Sequence, residues 1–427
     1  MRLYYSASAL CLGMTPETNT TLPIDVHESN SQNSASGRRP LHVLTLTPFF
    51  PFAANPVYGT YISEPLAHFP ELNLHSTVIG VSPLHHERHR SLPSAAAHWL
   101  RYPTVPGNRG LTTAGFFLYR RVAPFVRRLY KRDPIDVIHA HAALPCGHAA
   151  RLLAERLRIP FVVTIHGLDV FNACFEPGTN AAKRRAKLSE DIYCRAASVI
   201  CISLAVENIL KDGVKTPVSS CVIYNGTDPQ LFSPEALPPP GRSPSVLIVG
   251  NLLRGKGHEL VLKAVAGVAS DFPTLQCIMI GEGPDQSRFA DLARTLGIAE
   301  KVSFRGRQDR AAVAQAMREC TIFALPSRFE GLGCAYLEAM ASAKSVIACE
   351  GQGIAEIIQH RHNGWLIPVD DVSEMTEALR QLLGSPNLQA EIGANARQTV
   401  ITSFTLLDQV RRLAELYRRV TEQDAPV

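Results

Sequence analysis

Short apolar runs alternate with longer amphipathic stretches from Leu41 onwards, and this alternation constrains the fold more than any other feature of the sequence. The runs are rich in Val and Ile and have the length of buried strands, whereas the stretches between them show helical spacing. Strands and helices that take turns along a chain are typical of parallel α/β sheets. The runs are LHVLTLTPF, STVIGVS, DVIHAH, PFVVTIHG, SVICIS and CVIYNG in the first half, and SVLIVGN, LQCIMIGEG, KVSFRGR, TIFALPS, SVIACEG and GWLIPVD in the second.

The length of 427 residues exceeds what one ordinary core accommodates, so we predict an α/β protein of two doubly wound Rossmann-like domains. Five prolines in SPEALPPPGRSPS predict a linker between the two. The opening segment is rich in Ser, Thr, Asn and Pro and is interpreted as a disordered or misassigned start. The predicted boundaries are 1–40 for this segment, 41–235 for the first domain, 236–244 for the linker, 245–404 for the second domain and 405–427 for a closing helix.

Composition and charge exclude several classes of protein. The net charge of +5 is spread over a long chain, which argues against a nucleic-acid partner. The ten cysteines are scattered singly without a C-x-x-C pair, which favours reduced thiols in a reducing compartment. No apolar run is long enough to span a bilayer. We therefore expect a cytoplasmic protein.

A basic stretch in the first domain has two open interpretations. GFFLYRRVAPFVRRLYKRDP carries only cations among its charged residues up to position 132 and interleaves them with Phe, Leu, Val and Tyr. Residues 115–132 could form an amphipathic helix on an anionic membrane surface, such as the inner face of the plasma membrane. They could equally form an acceptor-side helix with a solvated basic face. The cations are Arg120, Arg121, Arg127, Arg128, Lys131 and Arg132.

The segment IVGNLLRGKGHELVLKAV nearly matches a phosphate-binding P-loop. The P-loop ends in Ser or Thr because the hydroxyl binds magnesium, and here Gly257 occupies that position. What remains is a glycine-bearing turn, with Gly250 before it and Arg254 and Lys256 within it, that leads into a helix. Such a turn suits a diphosphate whose charge is met by cations instead of a metal. The alternative is a solvated basic loop.

Two further glycine-containing turns fail as dinucleotide fingerprints. MIGEGPDQSRF has Gln286 and EGQGIAEII has Glu356 where the third glycine belongs. A nicotinamide or flavin enzyme therefore loses most of its support. Both segments are interpreted as tight strand-to-helix turns.

Histidines lie at two strand ends. His166 ends the run VVTIHG and is either a structural residue or part of a site. His139 and His141 share one strand face, which would allow a metal pair, but no third ligand is spaced near them. No two aspartates stand two positions apart, so a D-x-D metal clasp is absent. We predict no metal site and no cofactor.

The segment PSRFEGLGCAYLEAMASAKSV places two glutamates among small and apolar residues. Glu330 falls in the loop after a strand and Glu338 inside the next helix, about 12 Å apart along the axis. That span could reach from the ribose of a nucleotide to a sugar on its diphosphate. Amides at the helix start could meet an anion between them: Gly333, Cys334 and Ala335. In the alternative, Glu330 compensates the helix dipole and Glu338 lies on a solvated helix face. This alternative leaves Gly331 and Gly333 unexplained.

These motifs resemble the retaining glycosyltransferases of family 4, which have the GT-B fold of two facing Rossmann-like domains. The resemblance runs from about Leu41 to the end of the chain, and E-x7-E is its strongest element. Within that motif four residues match the family pattern, namely Gly331, Gly333, Ala339 and Met340, and three differ, namely Leu332, Ala343 and Ser345. TPFFP and NPVYG are also similar to enzymes of the teichuronic-acid and exopolysaccharide type.

The resemblance implies a role for each site residue. Glu330 would bind hydroxyls of the donor sugar, Glu338 those of the ribose, and Arg254 and Lys256 the diphosphate, while His166 would contact the donor from the other domain. Gly59 would belong to the family's glycine loop. The donor-binding set would comprise Gly59, Gly250, Gly331, Leu332, Gly333, Cys334 and Glu338.

The implied reaction moves a sugar from a nucleotide diphosphate, most often UDP, to an acceptor hydroxyl with retention at the anomeric carbon. A lipid-linked glycan in exopolysaccharide or cell-envelope synthesis is the expected acceptor, and no metal is needed. A front-face displacement, in which the leaving phosphate accepts the acceptor proton, is generally favoured for this family. Two alternatives stay open: a nucleotide-sugar 2-epimerase on the same fold, and a non-catalytic nucleotide-sugar-binding partner.

Overall fold

The computed structural model describes residues 39–91, 97–107, 110–167, 169–170, 178–234 and 242–423. Nearly all of the predicted N-terminal segment 1–40 and most of the predicted linker 236–244 lie outside the described residues. The strands, helices and site residues named below lie within the described ranges.

The first sheet has seven parallel strands in the order β3-β2-β1-β4-β5-β6-β7. Every strand predicted for this half of the chain is present. The additional strand, β3, has three residues and is too short to show a period in sequence. The bounds are β1 Leu41–Thr47, β2 Leu74–Pro83, β3 Leu100–Tyr102, β4 Val137–His141, β5 Phe161–Ile165, β6 Ser198–Cys201 and β7 Ser220–Val222.

In the part of the chain that the structure describes, five α-helices lie between these strands. Their buried residues recur at helical spacing, as in α2, where Leu118, Val122 and Val126 are completely buried against the sheet. The bounds are α1 Thr60–Leu66, α2 Leu111–Arg132, α3 His148–Leu157, α4 Asn180–Arg195 and α5 Leu204–Gly213.

The opposite face of α2 is the basic face predicted from the sequence. Phe116 and Phe117 are 48% and 42% exposed. Arg120 and Arg121 follow them at a spacing of four residues and are also exposed, so rings and cations share one surface. Among the helices in the described ranges, none is both long and apolar enough to cross a membrane.

The second sheet has six parallel strands in the order β10-β9-β8-β11-β12-β13, as the alternation of runs predicted. Its strands are β8 Ser245–Val249, β9 Gln276–Ile280, β10 Val302–Phe304, β11 Ile322–Ala324, β12 Ser345–Cys349 and β13 Trp365–Ile367. Its helices are α6 His258–Val268, α7 Gln286–Thr295, α8 Arg310–Glu319, α9 Cys334–Ala341, α10 Val372–Gly384 and α11 Pro386–Ser403. In both sheets the strand order reverses beside the first strand, and crevices for ligands form at such switch points.

The last helix, α12 Leu406–Gln423, leaves the second domain and returns to the first. Val410 and Tyr417 of this helix pack in one buried cluster with Val43 of β1 and Val137 of β4. The chain therefore closes the first core with its own C-terminal segment.

Candidate active-site cleft

The carboxyl ends of the two sheets face each other across a narrow cleft. The loop after β11 approaches the loop after β5 so closely that a Cβ on Gly331 would lie 2.7 Å from the carbonyl oxygen of His166. Ser203, which caps α5, donates its hydroxyl proton to the Gly331 carbonyl at 2.5 Å. Any side chain at position 331 would push the domains apart, which gives the predicted glycine a structural reason.

Lys256 and Glu330 form an ion pair at one end of the cleft. The lysine Nζ lies 2.5 Å from Glu330 Oε1, and the two side chains are 25% and 14% exposed. Ser327 donates to the same carboxylate oxygen at 3.3 Å, and the backbone N–H of Glu330 donates to Gln352 Oε1 at 2.7 Å. The structure thus brings together two of the predicted site residues, one cationic and one anionic.

Glu338 lies inside α9 with only 8% of its side chain exposed, so the solvated helix face considered as an alternative is wrong. Its carboxylate accepts a hydrogen bond from Arg310 at the start of α8. Arg310 also donates from Nε and Nη2 to Glu64 of α1, at 2.8 and 2.9 Å. The guanidinium carbon lies 4.7 Å from the ring centre of Phe232.

This cluster of Glu64, Arg310 and Glu338 crosses between the domains. Burial alone would lower the pKa of Arg310, but the carboxylates of Glu338 and Glu64 outweigh it and raise that pKa. Burial also raises the pKa of Glu64, against the effect of the arginine. Sequence reasoning missed Glu64 and Arg310. A signal for Arg310 was present, because a cation directly after the helix cap Asp309 opposes the helix dipole unless anions meet it.

The start of α9 has the backbone geometry that an anion site needs. Gly333 adopts a left-handed conformation with φ of 82° and leaves the helix without a side-chain cap. Leu332 is completely buried, so only its backbone can face a ligand. The Cys334 sulfur accepts from Asn225 Nδ2 at 3.5 Å, and burial raises the pKa of this thiol to about 12.

The other predicted glycines and Arg254 lie around this centre. Gly59 is the N-cap of α1, and a Cβ there would lie 2.5 Å from the carbonyl carbon of Phe49. Gly250 follows β8, and its N–H donates to the carbonyl oxygen of Ile280. Arg254 is 60% exposed, and its Nε lies 3.3 Å from an Asp285 oxygen. It stands at the rim of the cleft, whereas Lys256 on the same turn points to Glu330.

His166 enters the cleft from the first domain. Its Nε2 lies 3.1 Å from His141 Nδ1, and its backbone N–H donates to Asp169 at 2.8 Å. The adjacent His139 lies between two hydroxyls, those of Tyr417 at 2.6 Å and Thr164 at 2.7 Å. Burial lowers the pKa of both His139 and His166 to about 3, so both rings are neutral at pH 7.

Glu356 occupies the position at which a dinucleotide fingerprint would have its third glycine. It forms a second contact between the two domains, away from the Glu64–Arg310–Glu338 cluster. Its carboxylate accepts hydrogen bonds from the backbone N–H groups of Leu204 and Ala205, at 2.8 and 2.6 Å. These are the first residues of α5, where an anion is favoured by the helix dipole. The Tyr224 hydroxyl donates to the same carboxylate at 2.8 Å. The position therefore needs an acid for contact between the domains, which the sequence pattern did not reveal.

Comparison with known proteins agrees with this architecture. Residues 59–231 match the model described as Glycosyltransferase Family 4, and residues 230–399 match the model described as Glycosyl transferases group 1. The two matches meet at residues 230–231.

Individual relatives are similar over most of the chain. The N-acetyl-alpha-D-glucosaminyl L-malate synthase of Bacillus anthracis is 27% identical over 69% of this chain and 77% of its own. TuaC of Bacillus subtilis, named for teichuronic acid biosynthesis, is 24% identical over 90% of this chain and 99% of its own. The crystal structure of Anabaena HepE in complex with UDP superimposes with a TM-score of 0.69 and 19% identity, over 89% of this chain and all of HepE. This last similarity shows the GT-B fold.

The neutral buried histidines predict a loss of stability in acid. Between pH 6.5 and 5 the unfolded chain gains a proton on His139 while the native state does not, so the free energy of unfolding falls by about 1.5 kcal/mol from this residue alone. Glutamine at position 139 keeps a donor and an acceptor but does not titrate. Between pH 6.5 and 5 the free energy of unfolding of His139→Gln should therefore fall by about 1.5 kcal/mol less than that of the parent. Urea unfolding at pH 6.5 and pH 5, followed by circular dichroism, measures the difference.

Replacement of the exposed His85 by Gln is the matched control and should leave the pH dependence of the parent unchanged. Burial raises the pKa of Asp169 to about 6, which acts in the opposite direction, but this residue is common to all three proteins. Equal pH dependence in the parent and His139→Gln would contradict the neutral assignment.

Proposed function

The chain is a group 1 glycosyltransferase with a GT-B fold, and from this premise we propose that it transfers a sugar from UDP to an acceptor hydroxyl with retention at the anomeric carbon. We propose a lipid-linked glycan of exopolysaccharide or cell-envelope synthesis as the acceptor. UDP is supported by the complex of HepE with that nucleotide, and the acceptor class by the name of TuaC. Each of these likenesses concerns the relative, so both assignments are proposals for this chain.

The observation that carries the proposal is the pair of charged clusters at the two ends of one loop and helix. Glu330 pairs with Lys256, and Glu338, eight residues later, pairs with Arg310. Between them lie the amides at the start of α9. A nucleotide diphosphate sugar presents hydroxyls at both ends and anionic oxygens in the middle, which is the same order of chemical groups. We assign Glu338 to the ribose, the amides and Lys256 to the diphosphate, and Glu330 to the sugar.

The chemical step places negative charge on the leaving diphosphate. The bond from the anomeric carbon to the phosphate oxygen breaks, and the acceptor oxygen bonds on the same face of the sugar. The leaving phosphate oxygen takes the acceptor proton, so no side chain serves as the nucleophile. Lys256, the α9 amides and, from the rim, Arg254 stabilise the developing charge. In this assignment cations and amides meet the diphosphate without a metal.

His166 contributes from the opposite domain. Its low pKa keeps the ring neutral, so it can contact the donor sugar or its phosphate through a hydrogen bond without adding charge. The ring is held between His141 and the aromatic rings of Tyr61 and Phe49, at centroid distances of 5.0 and 5.9 Å from these two. Closing of the domains over the donor would exclude water and limit hydrolysis.

The first test is nucleotide binding. In calorimetric titrations with UDP, GDP, ADP and TDP in the presence of EDTA, we expect UDP to bind tightest. Glu338→Gln should weaken UDP about 10- to 100-fold, since hydrogen bonds to a charged group contribute about 1.5–3 kcal/mol.

Two controls separate ribose binding from damage to the ion cluster. Glu64→Gln disturbs the same arginine but keeps the ribose carboxylate, and the exposed Glu415→Gln tests the surface alone, so both should keep UDP affinity within about threefold of the parent. Failure of all four nucleotides to bind would overturn the donor assignment. Binding without turnover would favour the non-catalytic partner.

The second test is turnover. Lys256→Ala should release UDP from a UDP-sugar about 10²- to 10³-fold more slowly than the parent, as expected when one stabilising donor is removed from a developing charge. Lys263→Ala is the matched control, because this lysine of α6 has a side chain that is 41% exposed and pairs with Glu259, and this variant should keep the parental rate. UDP release is measured with a membrane lipid fraction as acceptor and with water alone. A parental rate in Lys256→Ala would contradict the role, and an epimerised nucleotide sugar without acceptor would favour the epimerase.

We further propose that the protein works in the cytoplasm and attaches to the inner face of the plasma membrane through α2. The exposed rings of Phe116 and Phe117 could enter the headgroup region while Arg120 and Arg121 meet anionic lipid. The alternative of an acceptor-side helix with a solvated face predicts no lipid dependence.

Vesicle co-sedimentation distinguishes these two roles of α2. The parent should sediment with vesicles of phosphatidylglycerol and not with vesicles of phosphatidylcholine alone. Replacing Arg120 and Arg121 by Gln should weaken binding at least tenfold, because each cation near an anionic surface contributes about 1 kcal/mol. Replacing Arg412 and Arg419 of α12 removes the same charge elsewhere and should have little effect. Binding that does not depend on anionic lipid would remove the membrane proposal.

A further inference from the structure

A cluster of two histidines and an aspartate lies at the edge of the first sheet that faces away from the cleft. His42 and His75 stand near the amino ends of β1 and β2 and are direct partners in the strand register. Asp133 follows the last residue of α2. Because the cleft forms at the carboxyl ends of the same strands, this cluster is separate from the proposed donor site.

The three side chains converge on one point. His42 Nδ1 lies 3.1 Å and His75 Nε2 lies 2.9 Å from the same oxygen of Asp133, Oδ2. All three atoms lie within 4.8 Å of one another. In a tetrahedral site with bonds of about 2.0–2.1 Å, neighbouring ligand atoms are about 3.3–3.4 Å apart. The two separations from Asp133 Oδ2 are therefore within a few tenths of an ångström of this value, and the partly exposed His75 can adjust its separation from His42.

The most buried ligand is already oriented. The His42 side chain is completely buried, and its Nε2 is hydrogen-bonded to Thr77 Oγ1 at 2.9 Å. The other ring nitrogen, Nδ1, is buried beside Asp133 yet makes no hydrogen bond of good geometry to a described residue. A metal-binding imidazole commonly has this arrangement, with the remote nitrogen held by a hydrogen bond and the near nitrogen directed at the ion.

The other two ligands can adjust. The side chains of His75 and Asp133 are 41% and 45% exposed, so both can move slightly and water can reach the site. The nearby cation Arg39 is engaged elsewhere, since its guanidinium donates to both oxygens of Asp136 at 2.8 and 2.5 Å. Asp136 in turn accepts the backbone N–H of His42 at 2.8 Å. The positive charge beside the cluster is thus compensated.

We propose that His42, His75 and Asp133 form a binding site for a divalent transition metal, with zinc as the ion that fits two imidazoles and one carboxylate. Water completes the coordination. The site joins the beginnings of two neighbouring strands to the end of α2. Its role is to stabilise the first domain, and nucleotide binding in the cleft does not require it.

Zinc titration of chelator-treated, metal-free protein tests the proposal. The parent should bind one Zn²⁺ per chain in calorimetry, and its melting temperature should rise with zinc. His75→Ala removes a half-exposed ligand and Asp133→Asn removes the carboxylate charge, so each should weaken zinc binding at least tenfold and abolish the thermal shift. Co²⁺ in place of Zn²⁺ should give the visible absorption of a four-coordinate site in the parent and not in either variant.

His68→Ala is the matched control, because this partly exposed histidine pairs with Glu71 outside the cluster. It should bind zinc as the parent does. Equal zinc affinity in the parent and His75→Ala, or no binding by the parent, would overturn the proposal and leave a hydrogen-bonded cluster. UDP titration of the same variants keeps the two assignments distinguishable, since loss of the metal site should leave UDP binding unchanged.

Discussion

The arrangement of the two domains depends on the packing of α12 against the first sheet. Tyr417 is completely buried there, and its hydroxyl lies 2.6 Å from His139 Nδ1. Loss of a buried aromatic side chain of this size typically costs about 3–5 kcal/mol, so the contact is a strong one. The helix follows the second domain in sequence and completes the first core in space. It thereby ties the two sheets together while their carboxyl ends face each other.

The charged side chains that the structure describes in the cleft are paired within the protein. Glu330 forms an ion pair with Lys256, and Arg310 forms ion pairs with both Glu338 and Glu64. Pairing of this kind is needed because an isolated charge in a partly buried site carries a large desolvation cost. In the proposed reaction, hydroxyls and phosphate oxygens of the donor take the place of these protein partners. Because Arg310 pairs with Glu64 of the first domain and with Glu338 of the second, the proposed ribose carboxylate is also linked, through Arg310, to the contact between the domains.

The predicted site residues were recognisable because each belongs to a short strand–turn–helix segment, and a segment of that length is visible in the sequence. Lys256, Glu330 and Glu338 have such positions. Glu338 was recognisable but its partnership was not, because Arg310 and Glu64 are 246 residues apart and the local signal at Arg310 does not say which anions meet it. For Arg254, the sequence predicted the turn that carries the residue. It did not predict that the side chain would point to Asp285.

The sequence by itself determined the two parallel sheets, the succession of strands and helices along the chain, and the edge of the sheets at which the site forms. These features follow from apolar periodicity and turn residues, whose effects extend over only a few neighbouring residues. Only the tertiary structure decided which charges meet across the cleft. It also decided that the Glu356 carboxylate accepts hydrogen bonds from the first N–H groups of α5 and that His42, His75 and Asp133 converge. These contacts join residues far apart in the chain, and their geometry follows from the packing of whole helices and sheets. No local pattern contains that information.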